Sequence, residues 1–475
     1  MTYLFVGAGQ AGGAIVDAIF DYTDDSLLGM FDSADISTLG RPLVFNSTMR
    51  DLQNLSNVPA EDQYGIAEQH GLVQGTEPGF EEMVTGGFGR NPVDADEVMA
   101  EHAPQIQTIL GEKFDPSFAN EAAFANETAF DDDSVDEDAP LDEDGENDMP
   151  DDEDTPLDEG DEDDAPAETL SEPAVEPTGS GVQFAFLFLG LGGGTGCGIG
   201  PHLAREIKAF TDGRTKVVAV AVLPNTQSAD AVGGADDGDD VSAGRQAWNA
   251  RYGLDRLEDE VDGIILIDNQ RISYLDSAGG EFGEYNEYVA ASIYDLVAGP
   301  VLSGINPSAV EGIDTPDIDV RDIVTSLSFG VAGEETEPGY AAIGRSVTMT
   351  RSLPGYLLPF VGKRDIDSAA LSRLSAAKQS LAKADIGDSQ KAISLIRAPK
   401  SNLGTGSHSI EIGTVKEYLE RSSKLSEVNL GVAMSDRNLA SVTTLLTYRR
   451  DDLDRLADIE AAAEAYEEET EELLA

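Results

Sequence analysis

Two glycine-rich stretches carry the first chemistry in this sequence. Gly7-Ala8-Gly9-Gln10-Ala11-Gly12 has the GxGxxG spacing, and Gly190-Leu191-Gly192-Gly193-Gly194-Thr195-Gly196-Cys197-Gly198 is a longer run of the same kind. Without a Cβ, such residues let backbone amides approach an anion closely, and a helix opening at the turn adds unpaired N–H donors and partial positive charge. Successive amides form a nest for a phosphate, to which Thr195 adds a hydroxyl. Taken alone, the first stretch fits a dinucleotide site as well, with Asp32 near the spacing of a ribose-binding acid. Two such loops at two strand ends imply more. They point to one polyphosphate laid across a sheet edge, held by Gly9, Gln10, Ala11, Gly192, Gly193, Gly194, Thr195 and Gly196.

Such loops need strands and helices to hold them. Tyr3–Gly7 reads as a strand, followed by a helix over Ala14–Phe20, a second strand at Pro42–Asn46 and a helical stretch over Asp94–Leu110. VQFAFLFLG is a continuous apolar strand of the kind buried on both faces. A helix at Pro201–Phe210, the strand KVVAVAVLP, a Gly/Asp loop over Gln227–Gly244, a helix at Ala247–Leu257 and the strand GIILIDN follow. A long helix from near Asn286 to Leu302 comes next. This alternation predicts an α/β fold with a parallel sheet flanked by helices. Beyond Asp314, QKAISLIRAP, SIEIGTV, VNLGVAMS and SVTTLLTYR read as strands among helices, a smaller α+β domain, and Asp451–Ala475 reads as an acidic helix. No internal repeat is visible.

Composition excludes several function classes. The 475 residues carry 91 acids against 30 bases, a net charge of −61. That sign excludes a general nucleic-acid binder and a basic membrane anchor, both of which need clustered Lys and Arg. Between Asp131 and Glu176 lie 24 acids and no base, yet removing them from −61 still leaves −37. An acidic surface over the whole chain suits a cytoplasm of multi-molar salt, where screening suppresses self-repulsion. Residues 112–180 are too poor in large apolar side chains to offset the entropy of ordering, and read as a disordered insertion. Joining a helix to a strand, this insertion should emerge opposite the ligand edge of a parallel sheet. Cys197 is the single cysteine, so no internal disulfide forms. Neither a secretory leader nor an 18-residue apolar run is apparent, which reads as a cytoplasmic protein without an integral membrane segment.

The second loop makes a resemblance specific. GGGTGCG resembles the tubulin/FtsZ signature GGGTG[ST]G, with Cys197 in place of Ser or Thr, and GQAGG resembles the archaeal CetZ branch. The phosphate site of that superfamily relies on backbone amides, and neither loop here contains a lysine. The resemblance continues in order along the chain. Asn46-Ser47-Thr48 resembles the segment near nucleotide and metal. Gly86-Gly87-Phe88-Gly89-Arg90-Asn91-Pro92 resembles the loop that senses the γ-phosphate, with Arg90 replacing a glycine. Asn269 matches the residue that contacts guanine. Phe282 and Asn286, spaced i and i+4, match an aromatic that stacks on guanine and an amide that bonds its edge. Asp317-Ile318-Asp319-Val320-Arg321-Asp322 is similar to the NxDxxD loop that enters the neighbouring subunit's site, where Asp319 and Asp322 would position the attacking water. The Glu and Arg expected after VLPNT are not evident, and Arg245 or Arg251 is the candidate for the second.

The resemblance implies a tubulin/FtsZ-like fold: a parallel-sheet GTP-binding domain (1–111 and 181–303), a long central helix, a smaller α+β domain (304–458) and an acidic tail (459–475). It implies GTP or GDP with Mg²⁺ held through phosphate and water rather than by a set of protein metal ligands. It further implies self-assembly into head-to-tail filaments, contacts with other FtsZ/CetZ proteins, and a place in the cytoplasm, at the inner face of the envelope or at mid-cell. Two other readings remain open at this point: a GTP-binding scaffold with little turnover, and a dinucleotide-dependent oxidoreductase resting on GAGQAGG alone.

Overall fold

The computed structural model describes residues 2–22, 36–68, 70–84, 86–114, 182–226, 237–272, 282–302, 318, 320–330, 336–351, 362–422, 426–435 and 438–474. Most of the 112–180 insertion, from 115 on, and Asp32 lie outside them.

The strands, in chain order, begin with β1 (Thr2–Ala8), β2 (Gly40–Asn46), β3 (Gln63–Ala67), β4 (Gly71–Gln74), β5 (Val182–Gly190), β6 (Lys216–Leu223) and β7 (Gly263–Asp268). They continue with β8 (Ser328–Phe329), β9 (Glu337–Pro338), β10 (Tyr340–Met349), β11 (Lys391–Ala398), β12 (Glu427–Met434) and β13 (Leu439–Tyr448). The main helices are α1 (Gly9–Asp21), α2 (Pro92–Lys113), α3 (Gly194–Phe210), α4 (Asp237–Glu258), α5 (Phe282–Leu302), α6 (Val320–Ser326), α7 (Ser368–Ala377), α8 (Ile412–Ser422) and α9 (Asp454–Leu474).

An 11-stranded sheet in the order β12-β11-β13-β10-β7-β6-β5-β1-β2-β3-β4 runs through the molecule. From β7 to β3 it is parallel throughout, and β10 joins it parallel to β7 from Tyr340↔Ile264 to Ala342↔Leu266. Strand β5 shows why its apolar run is uninterrupted. Phe184, Phe186 and Phe188 pack on the α1 and α5 face, while Ala185, Leu187 and Leu189 pack on the face covered by α2, α3, α4 and α9. All six are fully buried, so both faces need apolar side chains.

Several elements differ from the sequence reading. Helix α3 opens at Gly194, inside the glycine run rather than at Pro201. Helix α4 extends back to Asp237, into the stretch read as a loop, because propagation past the buried face at Ala247, Ala250 and Leu254 costs little once a helix has nucleated. SIEIGTV is not a strand: α8 starts at Ile412, and Ile412, Val415 and Leu419 form a buried i, i+3, i+7 face that Ile410 and Ile412 had disguised as alternation. Among the described residues no helix is long and apolar enough to cross a membrane.

The parallel strands leave their C-terminal ends, Ala8, Asn46, Gly190 and Leu223, along one edge. Phe114 and Val182, which bracket the insertion, lie away from that edge; Val182 is level with Thr2 at the start of β1.

Candidate functional site

Glycine geometry builds the site. Gly9 adopts φ +71°, in the left-handed region, and a Cβ there would stand 3.1 Å from the Gly196 nitrogen, so the two glycine loops touch. Gly12 seats α1 directly on β5, since its Cβ would fall 2.1 Å from the Phe188 carbonyl oxygen. A third segment closes in at Gly194, the first residue of α3, where a Cβ would lie 2.6 Å from the Asn91 nitrogen and 2.8 Å from the Arg90 carbonyl carbon. The fourth is joined by a hydrogen bond, 2.9 Å between Ser47 Oγ and Thr195 Oγ1. All four meet at the N-terminus of α3, whose N-cap Gly193 makes no side-chain cap. The first amides of that 17-residue helix thus face the gap with the positive end of its dipole.

The gap is a cavity of about 340 Å³. Gly9, Gln10, Ala11, Asn46, Gly87, Gly89, Gly192, Gly193, Gly194, Thr195, Gly196 and Asn269 all line it. Arg245 does not; from α4 its Nη2 donates to the Gly89 carbonyl at 3.1 Å and so braces the loop from behind. Arg251 pairs with Glu467 of α9 at 2.5 Å. Asn286 is half-buried on the first turns of α5 and is not in the cavity wall. The Phe282 side chain and Asp319 lie outside the described residues. Asp322 sits in the first turn of α6, which packs on β11 and β12, away from the cavity.

Thr48, Phe88 and Arg90, which belong to the two motif segments read from the sequence, also line the wall, and Asp51, Pro224 and Gln246 enter it unannounced. Among the described residues Asp51 is its only carboxylate, and the Asn46 amide reaches Asp51 Oδ2 at 3.5 Å. Gln246 arrives because α4 begins early. One turn on, buried Asn249 donates from Nδ2 to the carbonyls of Arg90 (3.0 Å) and Gly192 (3.2 Å), tying two loops together. Nothing local in the sequence marks Asn249; only a helix drawn through Gln246 would have placed it on the same side.

Cys197 is fully buried behind the loop, where Sγ donates to the Leu191 carbonyl at 3.1 Å, and burial pushes its thiol far up. It therefore fills space as a neutral thiol and leaves the ligand surface to Thr195. Among the described residues no group of three or more His, Cys, Asp or Glu could hold a metal ion. A lone Asp51 fits a cation such as Mg²⁺ that keeps its water and is bound mainly through phosphate.

The family description "Tubulin/FtsZ family, GTPase domain" matches residues 172–275, which span the second glycine loop through Asn269. Comparison with curated protein sequences found no match. Among solved structures, the GDP-bound monomer of CetZ1 from Haloferax volcanii superposes with a TM-score of 0.58 at 18% identity, covering 98% of this chain and 100% of that one. CetZ from Methanosaeta thermophila strain DSM 6194 gives a TM-score of 0.60 at 16% identity, covering 99% of this chain and 92% of that one. CetZ2 from Haloferax volcanii, described as a GTPγS-bound protofilament, gives 0.57 at 16% identity, covering 99% and 100%. The fold is thus tubulin/FtsZ-like, of the α/β class.

Proposed function

We propose that this chain binds GTP and GDP in the cavity at α3, assembles head to tail, and hydrolyses GTP where two subunits meet. What supports this reading is a separation. The phosphate cradle forms within one chain around β1, β2 and β5, whereas Asp322 rides on α6 against β11, five strand positions from β5 in the sheet order. At the usual spacing that is about 24 Å along the sheet. A second copy can bring Asp322 to the cavity; the same copy cannot.

In this reading the amides opening α3 and the two glycine loops hold the phosphates, with Thr195 adding its hydroxyl. Asn269, Phe282 and Asn286 recognise the base. Asp319 and Asp322 from the next subunit orient the attacking water and accept its proton. Mg²⁺, when bound, neutralises phosphate charge, and Asp51 is the carboxylate that would face it. The strongly acidic composition and the CetZ-like motifs support a reading in which the protein works in a salt-loving cell, in filaments that serve cell shape or division, in the cytoplasm or along the envelope. Other FtsZ/CetZ proteins are its natural co-polymers.

Phosphate release from GTP in multi-molar KCl with Mg²⁺, followed over a range of protein concentrations, tests this. Activity per molecule should climb with concentration and vanish in Asp319→Ala. One observation favours a second reading, a nucleotide-gated scaffold with little turnover: α4 presents to the cavity the neutral amide of Gln246, which cannot serve as a base. Tight GTP binding with no concentration-dependent turnover would select that alternative.

A further inference from the structure

Helix α4 serves two surfaces at once. Arg245, Gln246 and Asn249 form one stripe, which meets the cavity loops. Gln246 lines the wall, Arg245 donates to the Gly89 carbonyl, and Asn249 donates to the carbonyls of Arg90 and Gly192. Gly244, Trp248 and Arg251, at i, i+4 and i+7, form a neighbouring stripe that meets α9. There Glu467 accepts from both Trp248 Nε1 at 2.7 Å and Arg251 Nη2 at 2.5 Å. One turn before Trp248, Gly244 lies under Tyr466: a Cβ on Gly244 would stand 3.0 Å from the Tyr466 Cβ. A third stripe, the buried Ala247, Ala250 and Leu254, anchors α4 in the core. Helix α9 also reaches the cavity from its other end. Arg455, about 18 Å along the helix from Glu467, donates to the Pro224 carbonyl and pairs with Asp268. Pro224 and Asn269, which follows Asp268, line the wall. One helix thus holds three wall segments, at Pro224, at Asn269 and, through α4, at Gln246. The stretch expected from its sequence to be an acidic tail is an outer support of the site.

We propose that Glu467 is a positioning residue and α9 a clasp: docking of α9 on α4 sets the cavity wall for the nucleotide, and a bound nucleotide tightens that docking in return. The inference rests on the nucleotide reading above and adds the regulation of that site by the C-terminal helix. Neither Trp248 nor Arg251 lines the cavity, so Glu467 acts on the ligand only through α4. With its third stripe anchored, α4 moves as one body, and a shift of the stripe under α9 carries Gln246 and Asn249 with it. Coupling of this kind is reciprocal: whatever α9 docking adds to nucleotide affinity, nucleotide binding adds to α9 docking.

Calorimetric titration of the full chain with GDP, alongside hydrogen exchange of α9, tests the proposal. Two variants reach the contact from opposite sides. Glu467→Ala removes the acceptor, and Gly244→Val wedges α9 away without entering the cavity. Glu467 is 47% exposed, so each variant is expected to weaken GDP by about three- to fivefold, the scale of an exposed ion pair. Glu467→Gln, which keeps an acceptor oxygen, should stay near wild type. In the wild-type chain GDP should slow exchange of the amides at 464–470 and change the emission of Trp248, and both responses should vanish in Glu467→Ala. A contact that is structural alone would lower the melting midpoint of both variants while leaving GDP affinity and the two responses intact, and that result would overturn the proposal. Should Gly244→Val fail to fold, Glu467→Ala decides by itself. A wild-type chain that binds no GDP would sink the nucleotide reading and this inference together, whereas unaltered binding in the variants sinks this inference alone.

Discussion

Arg455, near the start of the last helix, is paired with Asp268, at the end of β7, with neither residue more than 1% exposed. The Arg455 Nε donates to Asp268 Oδ2 at 3.0 Å, and Nη2 lies 3.4 Å from Oδ1. The same guanidinium donates to the Pro224 carbonyl at 2.6 Å and to Thr226 Oγ1 at 2.9 Å. Pro224 and Asn269, next to Asp268, both line the cavity. One arginine from the C-terminal helix therefore fixes the loops after β6 and β7.

Removing one partner of this pair leaves a buried charge. Arg455→Met should cost about 3–5 kcal/mol in denaturant unfolding, and the double variant with Asp268→Asn should recover much of that loss. Should the single and double variants unfold alike, the two residues are not coupled.

A pH dependence follows from a second buried cluster of charges, Asp295 with Arg345 and Arg397. Burial pushes the Asp295 carboxyl up, but Arg345 (2.7 Å) and Arg397 (2.8 Å) outweigh it and hold the group down at about 2. A depressed folded pKa gives stability that is present above the unfolded value near 4 and is lost as pH falls towards 2. The pairing is worth about 2 kcal/mol on this basis. The stability gap between wild type and Asp295→Asn should hold from pH 7 to 5 and narrow between pH 4 and 2.

Complementation tests the shared site. In the proposed reading Asp322→Asn spoils only the face of α6 offered to a neighbour, whereas Gly194→Arg spoils only the cavity, since a Cβ alone already meets Asn91 at 2.6 Å. Each variant should be inactive by itself. Mixed, they should regain phosphate release at a fraction of the wild-type rate, because one contact in the mixture pairs an intact cradle with an intact loop. No recovery, from variants that each remain folded by circular dichroism, would count against a site built from two chains.

Salt should stabilise the fold. With a net charge of −61, self-repulsion is strong at low ionic strength, and the Debye length falls to about 3 Å at 1 M. The melting midpoint should rise steeply from 0.1 M KCl into the molar range, at pH 7. The single tryptophan, Trp248, offers the signal, since its Nε1 donates to Glu467 Oε1 at 2.7 Å and so reports the seating of α9 on α4.

Much of this was legible in the sequence because it is encoded locally. The apolar run of β5 and the glycine spacings fixed the parallel sheet edge and the meeting of the glycine loops, since a backbone that must approach another backbone to van der Waals distance admits no Cβ, as at Gly12 and Gly194. What the linear pattern concealed were contacts made at long range. Asn249 bridges Arg90 and Gly192 across 159 and 57 residues, and Gln246 reached the cavity only because α4 starts ten residues earlier than its apolar period indicated.

By itself, then, the sequence determined the α/β class, the two glycine loops that meet at one cavity and the order of the motifs along the chain, all consequences of side-chain size and period over a few residues. Only the tertiary structure decided that Arg90 stands in the wall at φ +65°, that Cys197 is buried behind the cavity wall, and that Arg455 locks two cavity loops. Those outcomes depend on which elements pack together, because the partners involved lie far apart in the sequence, as Asn249 does from Arg90 and Arg455 from Pro224.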